Sequence, residues 1–143
     1  MKMLGSLVLI AVAANLAGCA TTAADKQVKA VYHLNEGLEQ ASNGLRNIRN
    51  HLSADPSAKI VVVTHAKGID FLLEGVKDKN GNPYDAIVDD LASKGVEFRV
   101  CENTLTSRKI DKSKVIPTAS IVPSGVAEVG RLQTREGFVY LKP

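Results

Sequence analysis

Cys101 lies in GVEFRVCENTL, residues 95–105, and Cys19 is the only other cysteine of the 143-residue sequence. A cysteine works as a nucleophile or sulfur acceptor through its thiolate, which positive partners and helix N-termini stabilise. Histidines are natural companions of such a thiol, and two sit after strand-like runs: His33 in VYHLNEG and His65 in KIVVVTHAKG. Asn35 stands where a helix would start, and the free backbone N–H groups of that turn suit an anion. Asn103 and Arg108 follow the cysteine in ENTLTSRK. Each residue also has a quieter reading. His33 can bond a loop carbonyl, and His65 can face solvent in a turn with Ala66, Lys67 and Gly68. Arg108 and Lys109 can form a solvated surface, and a free cysteine can pack as a small, inert hydrophobe.

Other chemistries fail on spacing. The sequence has no GxGxxG and no GxxxxGK[ST], so neither dinucleotide nor nucleoside triphosphate binding is indicated and no cofactor is expected. Two separated histidines and one cysteine lack the short ligand spacing of a structural zinc site, and no metal is expected. Ser124 in VPSGV does not match the GxSxG elbow of hydrolases and reads as a helix cap. A Cys–His hydrolase pair would need an orienting group and an oxyanion loop, and no motif supplies them.

The elements that must position these residues alternate between strand and helix. Val31–Leu34 reads as a short strand, and Asn35 as the N-cap of a helix whose apolar face carries Leu38, Ala41, Leu45, Ile48 and Leu52. Lys59–Thr64, KIVVVT, is a continuous β-branched run that suits a strand covered on both faces. A helix is expected from about Ile69, with Leu72, Leu73 and Val76 on one side. Asn82-Pro83 reads as N-cap and first residue of the next helix, which ends at Gly95. In the strand that follows, Val96, Phe98 and Val100 alternate with Glu97, Arg99 and Cys101. That alternation puts the thiol on the face with two charged residues and away from the main core. Ser120–Val122 reads as a strand, Ser124 as the cap of a helix carrying Val126, Val129 and Leu132, and Phe138–Leu141 as the last strand. Repeated strand–helix–strand units with short links predict an α/β fold with a parallel sheet and right-handed crossovers. The carboxyl ends of such strands are where ligands bind.

The first residues bear on location. Met1-Lys2 precedes the run LGSLVLIAVAANLAGC, which stays apolar or small from Leu4 to Cys19 apart from Ser6 and Asn15. That is the length of a signal-peptide core with its cleavage segment, and short of the ~20 residues that span a bilayer. Leu16-Ala17-Gly18-Cys19 resembles the lipobox of bacterial lipoproteins, in which the cysteine is lipidated and becomes the first residue. The expected organisation is a signal peptide over 1–18, a flexible tether over 19–27 and one domain over 28–143. Ala20 beside Cys19 points, by resemblance to sorted lipoproteins, to a periplasmic protein anchored in the outer membrane. Cys101 is then the one thiol of the exported domain, where unpaired cysteines are unusual. With 45% hydrophobic residues the domain can bury a core, and a mild net charge of +3 without a basic block argues against nucleic acid as partner.

The segments VYHLNEG with RNIRNHL, KIVVVTHAKGIDFLL, GVEFRVCENTL and IVPSGVAEVGRLQTREGFVYLKP together resemble the DsrE/DsrF-like family, from about Val28 to Pro143. The resemblance implies a three-layer α/β/α sandwich with a mainly parallel sheet of about five strands, and assembly into trimers or hexamers. In the sulfur-relay branch, a cysteine after a sheet strand accepts sulfane sulfur as a persulfide and passes it to a second thiol. Cys101 occupies the matching place, which implies a thiol or sulfane-sulfur donor protein as partner and sulfur-transfer chemistry rather than hydrolysis. Glu102-Asn103-Thr104 departs from the Ala- and Arg-rich continuation of the relay proteins, and an exported chain would not meet their cytoplasmic partners. A different class of function stays open: a small-ligand-binding module or oligomeric scaffold in which Cys101 is incidental.

Overall fold

The computed structural model describes residues 26–143; the apolar N-terminal stretch and Cys19 lie outside the described residues. Five strands form one all-parallel sheet: β1 (Lys29–Leu34), β2 (Lys59–Thr64), β3 (Glu97–Cys101), β4 (Ala119–Val122) and β5 (Val139–Leu141). Their spatial order is β4-β3-β2-β1-β5. The helices are α1 (Leu38–Ala54), α2 (Tyr84–Ser93), α3 (Glu102–Ser107) and α4 (Gly125–Glu136). Among the described residues no helix is long and apolar enough to cross a membrane.

The β-branched run at Lys59–Thr64 becomes the central strand. Ile60 through Thr64 are all buried, as a strand covered on both faces requires. Successive side chains part to opposite faces of the sheet. Ala30, Tyr32, Ile60, Val62, Phe98 and Val100 join α1 and α2 in the larger apolar cluster, whereas Val31, Val61 and Val63 meet Val129, Leu132 and Phe138 on the α4 side. Handedness accounts for the two layers. From β1 to β4 the chain advances across the sheet in one direction, so right-handed crossovers put its helices on one face. The β4-to-β5 connection returns the other way, so the same hand puts α4 on the opposite face.

Three local expectations are corrected. Asn35 is not the N-cap of α1; Gly37 is, at φ 106°, and the helix starts at Leu38. The buried Gln40 side chain reaches back instead, its Oε1 accepting from the N–H groups of Asn35 at 2.7 Å and Glu36 at 2.9 Å. The helix expected from Ile69 is a 3₁₀ segment over Ala66–Leu72. It ends early because Leu73 leaves it to bridge Val115, while Gly68 lies flat against β1, where an added Cβ would stand 2.0 Å from the Leu34 carbonyl oxygen. Pro83 is the cap of α2 rather than its first residue. Ser124 does cap α4, accepting a bond from the Ala127 N–H, and Gly137 ends that helix in the left-handed region.

Candidate functional site

Cys101 is the last residue of β3 and the N-cap of α3. From there the chain turns towards the larger cluster, where Leu105 is buried, whereas from β4 it turns into α4 on the other face. The carboxyl ends of β3 and β4 therefore flank a switch in chain direction, the crevice where open α/β sheets bind ligands.

Alternation put Cys101 on the face with Glu97 and Arg99, and the register agrees. The thiol lies outside the larger cluster, as that face predicts, yet it is not open to solvent, because α4 covers the face. Cys101 is 5% exposed. It belongs to neither apolar cluster, and Gly125 and Thr104 lie against it. Burial alone pushes the thiol pKa up. The N–H of Gly125, the hydroxyl and N–H of Thr104 and the N–H of Asn103 stabilise the thiolate and bring the net shift below the ordinary value. The Thr104 hydroxyl has a fixed role: it accepts from the Ala66 N–H at 3.0 Å, which leaves its own proton for the sulfur. Gly125 is needed for closeness, since a Cβ there would stand 3.2 Å from the Cβ atoms of both Cys101 and His65 and 3.0 Å from the Thr64 carbonyl oxygen.

The two histidines do come together. Their ring centroids are 4.8 Å apart with planes inclined by 33°. His33 Nδ1 lies 2.8 Å from the Tyr140 hydroxyl, while His33 Nε2 is buried without a partner among the described residues. Burial holds both imidazoles below the usual histidine range, and His65 and Lys142 push His33 further down. Neutral rings at neutral pH can accept or relay a proton. A row of Tyr140, His33, His65 and Cys101 thus crosses the carboxyl ends of four strands, with Gly125 packed between the last two.

The remaining expected residues take other places. The backbone N–H of Asn103 donates to the Pro123 carbonyl at 3.3 Å and is at most a shared donor to the sulfur, while its side chain is exposed. The Oδ1 of Asn35 is buried without a partner among the described residues, and Gly37 rather than Asn35 caps α1, so Asn35 is no anion-holding cap. Arg108 lies across a cleft of about 520 Å³ beside Thr104 and His65, where it pairs with Asp70 at 2.6 Å and donates to the Ala66 carbonyl at 3.1 Å. Sequence reasoning missed Thr104, Gly125, Tyr140 and Lys67. Only the position of Thr104, three residues after a strand-ending cysteine, carried a signal: it is the third residue of a helix capped by that cysteine.

Comparisons bear on this architecture. The profile of the DsrE/DsrF-like family matches residues 10–143. The chain belongs to that family. Among solved structures it is similar to MTH1491 of Methanobacterium thermoautotrophicum, described as a protein of unknown function, with 30% identity and a TM-score of 0.73 over 82% of this chain and 100% of that one. It shares its fold with the ychN protein of E. coli, at 16% identity and a TM-score of 0.69 over the same shares. No curated protein matches. The three-layer sandwich is therefore a DsrE-like fold. A larger concavity of about 710 Å³ lies elsewhere, between α1 and the turn before α2. In it the Tyr84 hydroxyl is already bonded to Ser42 and to the Leu38 carbonyl.

Proposed function

We propose that this DsrE-like protein handles sulfane sulfur through Cys101, which takes a sulfur atom as a persulfide and passes it to a second thiol. The observation that carries this reading is the place of Cys101 as N-cap of α3 and against Gly125 at the start of α4, where the Gly125 N–H and the Thr104 hydroxyl favour thiolate in an otherwise desolvating place. The thiolate attacks the outer sulfur of a donor; a new S–S bond forms at Cys101 and the donor's own bond to that sulfur breaks with its electron pair. His65 is a proton acceptor for an incoming protonated thiol, with His33 and Tyr140 behind it. The direct test is to incubate the domain with sulfane-sulfur donors and weigh it intact. The expected result is the added mass of one sulfur, removed by a reducing thiol and absent from Cys101→Ser. No such mass with any donor speaks against the reading.

The apolar run ending at Cys19 supports an exported protein lipidated at that residue and held to the outer membrane from the periplasmic side. A Cys19→Ala variant would then leave the membrane fraction. The family resemblance supports a trimer or hexamer, and the exposed Val126, Val139 and Tyr140 near the site offer apolar surface for a second copy. Sedimentation measures that assembly.

One observation favours a second reading, a binding or scaffold module: the thiol is nearly covered. On that reading Cys101→Ser retains full cellular function.

A further inference from the structure

The cleft beside the thiol carries a charge pattern that the sulfur chemistry above leaves unused. It lies between the 3₁₀ segment after β2 and α3, and its walls include His65, Lys67, Asp70, Thr104, Ser107 and Arg108. Cys101 does not itself line the cleft; Thr104 and His65, which do, separate it from the thiol. The Thr104 hydroxyl serves the sulfur, and the Cβ atoms of His65 and Cys101 are both within 3.2 Å of the position where Gly125 lacks a side chain. At about 520 Å³ the cleft is of the size that takes a small molecule.

The charges around the cleft are not balanced. Among the described residues Asp70 is the one acid on its walls, and it is engaged by Arg108 at 2.6 Å. The nearby Glu36 is paired with Lys142. Lys67 is exposed, and among the described residues it forms no ion pair. One ammonium and one guanidinium against one carboxylate leave a formal charge of +1 facing a site whose reacting group is itself an anion. A negative donor would otherwise be repelled by the thiolate it must approach, and a cationic wall offsets that repulsion.

We infer that this cleft is the donor subsite of Cys101 and that it selects small anionic sulfane-sulfur donors, with Lys67 as the residue that reads their charge. The inference rests on Cys101 being the reacting thiol. In the simplest case the transferable sulfur is bonded to an oxyanion group that rests against Lys67. The thiolate electron pair forms the bond to that sulfur, and the sulfur–oxyanion bond breaks with its electrons remaining on the departing anion. The cysteine persulfide keeps the single negative charge of the thiolate, so no oxidant, reductant or proton is needed.

Three methanethiosulfonate reagents that share one reactive group but end in a sulfonate, a trimethylammonium or a methyl group test it on the full chain. The rate of Cys101 modification by each is followed by intact mass at low ionic strength. In the wild type the anionic reagent is expected to outpace the cationic one. Lys67→Glu should lower that ratio about tenfold or more, Lys67→Ala by an intermediate amount, and raised salt should collapse it. Because the ratio cancels any change in the thiol itself, a ratio that stays within twofold in Lys67→Glu overturns the subsite while leaving Cys101 as a reactive thiol. If none of the reagents modifies Cys101 in the folded wild type, the sulfur-handling reading falls and the subsite with it.

Discussion

The backbone N–H of Ala66 donates to the hydroxyl of Thr104 at 3.0 Å, across the gap between the loop after β2 and the first turn of α3. Ala66 sits at φ 51°, a left-handed conformation that side chains rarely adopt, and the Arg108 guanidinium holds its carbonyl from the other side. Two elements are thus locked together around a hydroxyl with one proton left to give. The thiolate is where that proton is useful.

Thr104→Val keeps the shape and removes the donor. A hydrogen bond to a charged group contributes about 1.5–3 kcal/mol, so near neutral pH Cys101 should be alkylated roughly ten- to a hundredfold more slowly. The pH at which alkylation reaches half its maximum should move up towards that of an ordinary cysteine. Thr104→Ser should restore both. A Thr104→Val profile identical to the wild type would mean that the backbone donors of Gly125 and Asn103 suffice.

Glycines set the closeness of the site, and two of them should respond differently to alanine. At Gly68 a Cβ would stand 2.0 Å from the Leu34 carbonyl oxygen and 2.6 Å from the Asn35 nitrogen, both backbone atoms. Gly68→Ala should prevent stable folding. At Gly125 the contacts are 3.0 to 3.2 Å, so Gly125→Ala should fold with a loss of about 1–3 kcal/mol, the usual range for overpacking. Denaturant unfolding separates the two. The Gly125 variant should also slow Cys101 alkylation, because its helix start is pushed away from the sulfur.

The sheet was legible because its patterns are global. Between Lys59 and Thr64 the run IVVV has no polar position to expose, so it had to be a strand covered on both faces, and the alternation over Val96–Cys101 put the thiol on the correct face. What covered that face was not legible. α4 lies some 25 positions later in the chain, and only the return from β4 to β5 at the opposite edge lays it over Cys101. The same limit explains Asn35. An asparagine before an apolar helical face looks like a cap, yet the rival was the buried Gln40 side chain, whose reach back to two N–H groups is a local geometry that no spacing rule encodes. His33 and His65 were singled out separately, and they meet because parallel pairing of β1 and β2 sets Leu34 beside Thr64. Tyr140 joins them through a third strand, 107 residues away from His33.

The histidine pair makes stability depend on pH. Burial lowers both pKa values in the folded state below the ordinary histidine value. The unfolded chain then binds more protons as pH falls. The full stability is present above the unfolded value and is lost as pH drops through it towards the folded values. Thermal unfolding between pH 7.5 and 5 should show this loss, and His33→Gln should flatten it. A wild-type melting temperature that is unchanged across that window would mean that the rings are as solvated folded as unfolded.

Two residues before Cys101 on the same face, Arg99 pairs with Glu128 of α4, and Arg131 bonds the same carboxylate. The side chains of Arg99 and Glu128 are only 15% and 11% exposed, whereas Arg131 is 36% exposed. Losing one partner of a covered pair costs more than losing a solvated one, although Glu97 also bonds Arg99 at 2.5 Å and keeps that guanidinium from being left unpaired. Glu128→Gln should therefore cost about 1–2 kcal/mol in denaturant unfolding, and Arg131→Met less than about 1 kcal/mol. Because this pair fastens α4 to β3, the Glu128 variant should also loosen the Gly125 donor over Cys101 and slow alkylation at neutral pH. The Arg131 variant should leave alkylation unchanged. Equal effects of the two variants on the thiol would show that the start of α4 is held by Ser124 and the apolar contacts of Val129 and Leu132 alone.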